Sequence, residues 1–129
     1  MSPEFLRRTV QRAKERKIEE MEKELGEPFM ALVREVDKLM FDAASETWSE
    51  ILVDTYHFLP EVKDMKHGDR IREVREPYFM NSDFNTHVDK LARYYCLQGF
   101  KAESGYNESV FEYAYVHSLK ISWSLEGGE

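Results

Sequence analysis

The chain has little of what small catalytic sites are built from. Of its 129 residues only Cys96 is a cysteine, so no disulfide within the chain can form and no thiol pair can hold a metal. Such sparse cysteine usage suits a reducing, cytoplasmic compartment. The six glycines are scattered, and neither GxGxxG nor GxxxxGK occurs, so no phosphate-cradling loop is expected. No Gly-x-Ser-x-Gly elbow is present for a serine nucleophile. Apolar runs stop well short of a membrane span, and the N-terminal region is polar, without the pattern of a signal peptide. Bases are also the minority: 18 against 25 acids give a net charge of −7, which disfavours adhesion of the whole surface to nucleic acid or anionic membrane.

What the chain does have is a strict alternation near its end. From Ser109 to Ser124 the odd positions are Phe111, Tyr113, Tyr115, His117, Leu119, Ile121 and Trp123, with smaller or more polar residues between them. A period of two predicts a strand with one face hidden. Phe100 to Glu103 reads as its shorter partner, with Gly105, Tyr106 and Asn107 as the turn.

The rest is written for helices. Residues 3–25 are rich in Arg, Lys, Glu, Gln and Leu and carry a thin apolar stripe of Leu6, Val10, Ala13, Ile18, Met21 and Leu25. Ser2 and Pro3 are suited to cap and open it, although Met1–Phe5 resemble a cloning linker and are given no functional weight. Gly26 should stop this helix and Pro28 open the next. Phe29, Leu32, Val33, Val36, Leu39, Met40, Ala43 and Ile51 then fall on one broad face, predicting a helix from about Pro28 to near Phe58, ended by Pro60. Residues 59–83 are hard to read, with a short helix or packed loop expected. A third helix follows, capped by Ser82 or Asn85, lined by Val88, Leu91, Ala92, Tyr95 and Cys96, and closed by Gly99 at C′. The expected fold is α+β: one domain over 1–129, with a charged helix over 1–26, a helical core over 28–98 and a hairpin over 99–125, its aromatic face packed on three or four helices.

Charge is segregated along these helices. Residues 7–17 hold six bases and one acid, and Glu19, Glu20, Glu22, Glu24 and Glu27 follow directly, an order opposite to what the helix macrodipole favours. Residues 27–58 carry seven acids against two bases, with Glu35, Asp42, Glu46, Glu50 and Asp54 as a drifting row, four of them at i,i+4 steps. Unpaired carboxylates at that spacing repel unless a cation or basic partner faces them. Most charge runs are simply solvated faces, so the row is also readable as the wet side of an amphipathic helix.

No catalytic constellation stands above its structural alternative. His57 lies three residues after Asp54, with Glu50 one turn earlier and Glu61 and His67 nearby, but no second histidine sits one turn away. Cys96 on the apolar face of its helix reads as a buried structural thiol, since a nucleophile would need His57, His87 or His117 brought close and no family signature surrounds the cysteine. His117 reads as a packed or interface residue of the aromatic face. The aromatic strand has Lys120 as its only base and Glu112 beside it, which is poor chemistry for stacking nucleic-acid bases.

Three functional expectations follow. The first is a non-enzymatic regulator that needs no cofactor or metal and binds a protein partner through Arg7, Arg8, Arg12, Arg16 and Lys17 on one side and Glu35, Asp42, Glu46 and Glu50 on another. In general form it is similar to compact inhibitors of host proteins made by phages and mobile elements. The second is nucleic-acid binding by the basic half of the first helix, with Arg70, Arg72 and Arg75 in support. The third is a small metal-dependent enzyme around His57, Asp54 and Glu50. Homo-oligomerisation fits all three, because the first helix is polar and the hairpin leaves an open edge.

Overall fold

In the computed structural model, residues 1–58, 82–109 and 115–124 are described. Helix α1 spans Pro3–Ser45 and is broken at Gly26, whose φ of 69° and ψ of −159° leave the helical region just before Pro28. Ser2 caps it, its Oγ accepting the Phe5 N–H at 3.1 Å, with Pro3 in the first turn. Phe29, Leu32, Val33, Val36 and Ala43 form its buried face.

α1 stops at Ser45, well before Phe58. The Trp48 N–H reaches the Ala43 carbonyl at 2.9 Å and the Thr47 N–H reaches that of Ala44 at 3.0 Å, the Schellman arrangement. The expected continuation is instead strand β1, Glu50–Asp54, followed by a short 3₁₀ helix over Thr55–Phe58. Ile51, Leu52 and Val53 suit a strand as well as a helix, and pairing with a neighbouring strand decides between them.

Helix α2, Ser82–Leu97, presents Phe84, Val88, Leu91, Ala92, Tyr94 and Tyr95 to the core. It ends on a second Schellman turn: the Phe100 N–H bonds the Tyr95 carbonyl, the Gly99 N–H bonds that of Cys96, and Gly99 takes a φ of 102°. The hydrophobic contact that accompanies this motif is the Tyr95–Phe100 ring pair, edge-on at 5.8 Å.

Strands β2, Lys101–Glu108, and β3, Tyr115–Ser122, complete a three-stranded antiparallel sheet of order β1-β3-β2. The fold is therefore α+β, with two α-helices among the described residues rather than three or four, and a three-stranded sheet rather than a lone hairpin. Gly105, Tyr106 and Asn107, expected as the turn, lie inside β2 and pair with Ser118, His117 and Val116. Ile51, Val53, Leu119 and Ile121 face the helices and join their side chains in one core.

The hidden face expected for β3 holds only at one end. Leu119 and Ile121 are buried, but Tyr115 and His117 on the same face are exposed, while Val116 and Ser118 are buried on the opposite face. Phe111 and Tyr113, like residues 59–81, lie outside the described residues.

Candidate interaction surface

The basic residues singled out by sequence sit on an arm. Every residue from Met1 to Arg12 is exposed, and the first side chain of α1 to pack against the core is Ile18. At 1.5 Å per residue, the stretch from Pro3 to Ile18 projects about 22 Å. Arg7, Arg8, Arg12, Arg16 and Lys17 are all exposed along it. Beside them the apolar side chains of Leu6 and Val10 are 49% and 53% exposed. Short-range bonds stiffen the arm: Thr9 Oγ1 donates to the Phe5 carbonyl at 2.9 Å, Gln11 donates to Glu15 at 3.2 Å, and Arg16 lies 3.8 Å from Glu20. A side-chain pair so exposed contributes little stability.

Two tyrosines of α2 hold α1, one on each side of the Gly26 break. Tyr94 donates to Glu22 Oε2 at 2.7 Å, and Tyr95 donates to Asp37 Oδ1 at 2.7 Å, with the Val33 carbonyl 3.2 Å away. Burial, then the hydrogen bond and charge of Glu22, push the Tyr94 phenol well above its ordinary range. Burial, then the Asp37 carboxylate, do the same to Tyr95. Phe29 packs edge-on to Tyr94 at 5.4 Å, so one aromatic run locks α1 against α2.

The acidic row does not form one surface. Asp42 and Glu46 are exposed at the end of α1, Glu46 as its C-cap, and Glu35 is half-buried. Glu50 leaves the row altogether: it stands on β1, paired with Lys120 of β3 at 3.7 Å. The expected succession of i,i+4 carboxylates thus ends where the helix ends.

The same change of element moves Glu50 away from Asp54 and His57, while Glu61 and His67 of that grouping lie outside the described residues. Asp54 and His57 are buried. The Asp54 N–H donates to His57 Nδ1 at 3.0 Å, and the same nitrogen lies 3.4 Å from Asp54 Oδ1. Asp54 Oδ1 accepts the Tyr56 N–H at 2.9 Å, and Oδ2 has no hydrogen-bond partner among the described residues. Glu50 is four strand residues from Asp54, about 13 Å, too far to share an ion with it. Among the described residues no group of three or more His, Cys, Asp or Glu is placed to hold a metal.

Cys96 is exposed, contrary to the buried thiol expected, because Tyr95 takes the core position. Its Sγ donates to the Ala102 carbonyl at 3.1 Å, at the edge of an open depression of about 560 Å³ lined also by Phe100, Lys101, Glu103, Lys120 and Glu50. No histidine is among the residues that line it. Sequence reasoning also missed an exposed aromatic group, in which Tyr106 stacks on Tyr115 at 6.3 Å and meets His117 edge-on at 5.3 Å. The signal was present in the alternation of β3, but not in where the helices stop covering it. Arg70, Arg72 and Arg75 lie outside the described residues.

No family model, no curated protein and no solved structure matches this chain. No helix among the described residues is long and apolar enough to cross a membrane.

Proposed function

We propose that this chain is a non-enzymatic interaction protein, a small regulator that binds a protein partner through the charged surfaces of α1. The observation that carries the reading is the arm: about 22 Å of helix standing off the core, with five of its bases and the half-exposed Leu6 and Val10 offered to solvent. A helix that buries almost nothing of itself is retained for what it meets. Asp42 and Glu46 at the far end of α1 supply a second, acidic contact in this reading. The occupied Nδ1 of His57 and the distance of Glu50 from Asp54 support binding over metal chemistry.

The test is co-purification from lysate with the full chain and two variants, one with Arg7, Arg8, Arg12, Arg16 and Lys17 reversed to Glu, the other with Asp42 and Glu46 reversed to Lys. At least one protein retained by the native chain should be lost under one reversal. Identical retention by all three, with self-association of the chain also unchanged by either reversal, removes the reading. Nucleic-acid binding by the same arm is distinguished by a filter titration, in which phosphate contacts give an affinity that falls steeply with salt.

A further inference from the structure

We infer that the partner of the arm is a second copy of this chain, seated antiparallel along α1. The inference rests on the arm being a docking element, as proposed above, and names its occupant. Its basis is that α1 is complementary to itself. The first half of the arm helix is basic, over residues 7–17, and the second half is acidic, over residues 19–27. Reversing one copy against another sets each basic half beside an acidic one. It also places opposite ends of the two macrodipoles side by side, where each copy alone has its charges misplaced with respect to its own dipole.

The surface is shaped for this. Beyond Ala13, the line of Leu6 and Val10 runs into an open groove between α1 and α2, of about 300 Å³, floored by Met21 and Leu25. Lys17, Glu20 and Glu24 line it from α1, with Lys90 and Arg93 on the α2 side. An antiparallel arm laid in this groove sets Val10 over Leu25 and Ala13 over Met21. In that register Arg16 of one copy falls beside Glu20 of the other on the same side of the seam, and the turn that carries Arg12 stands level with the turn that carries Glu24. A two-fold axis makes both grooves fill at once, giving a closed dimer in which the apolar stripes of both arms are covered.

Sedimentation of the full chain tests it with three variants: Val10→Asp, the pair Arg12→Glu with Arg16→Glu, and the pair Glu20→Arg with Glu24→Arg. All altered residues are exposed, and circular dichroism checks that helix content is kept. The native chain should sediment as a dimer that weakens with salt. Val10→Asp and each charge pair alone should weaken association by at least about tenfold. A mixture of the two charge variants should recover a mixed dimer. A monomeric native chain, a dimer indifferent to Val10→Asp, or a mixture that stays monomeric each overturns the inference. A native monomer that still loses a lysate protein on arm reversal overturns the dimer alone and leaves the interaction reading standing.

Discussion

Thr47 holds a backbone conformation, φ 72°, in which a β-branched residue is strained, because it occupies the C′ position that closes α1. Thr47→Gly removes the Cβ clash at a smaller cost in chain entropy, and should raise unfolding free energy by about 0.5–1 kcal/mol in urea titration. Gly99 does the same work for α2 without strain, which is why that helix end was legible and the end of α1 was not: glycine announces the left-handed turn, threonine hides it. Tyr95 shows a second residue-scale device. Losing its hydroxyl in Tyr95→Phe should cost about 1.5 kcal/mol, the value of a hydrogen bond to a charged acceptor. The raised phenols of Tyr94 and Tyr95 also set a sign for alkaline stability. Above the ordinary phenol value of about 10 the unfolded chain releases protons that the folded chain retains, so stability is intact below that pH and falls as pH rises through it. Spectrophotometric titration should find these two tyrosines ionising only as the protein unfolds.

At the scale of elements, the sheet explains what periodicity can and cannot reveal. The alternation of β3 correctly marked a strand, and Gly26, Pro28 and Ser2 correctly marked where α1 begins and breaks, since each is a local signal with a local cause. β1 was missed because Ile51, Leu52 and Val53 are apolar in a run, a pattern shared by strands and buried helices. Only its register against β3, with Ile51 opposite Ile121 and Val53 opposite Leu119, distinguishes them. Gly105 misled for a related reason. It looked like turn chemistry, yet it sits within β2, where an added Cβ would lie 3.2 Å from Asn107 Nδ2. That amide donates to Ser118 Oγ at 2.6 Å across the strand pair. Gly105→Ala should therefore cost about 1 kcal/mol, read as a lowered urea midpoint, by displacing the amide from Ser118. The exposure of Tyr115 and His117 follows from the reach of the helices: they cover the Leu119–Ile121 end of β3 and leave the other end of that face bare.

For the whole molecule, the proposed division between folding and binding runs along α1. The core draws on this helix from Ile18 onward, and the residues before it contribute charge and reach rather than burial. Removing residues 1–12 should thus change unfolding free energy by no more than about 1 kcal/mol while abolishing association. The basic arm was legible in the sequence because charge needs no tertiary structure to be read. The acidic row was only half legible, since Glu50 was placed on a helix that turned out to end five residues earlier. The account stands or falls on the arm as the binding element. The most direct measurement compares partner retention by the native chain with that of a chain carrying Glu at positions 7, 8, 12, 16 and 17, with the unfolding free energies of the two, from urea titration, equal to within about 0.5 kcal/mol. The expected result is an equally folded variant that has lost its partner. An equally folded variant that keeps every partner of the native chain would contradict it.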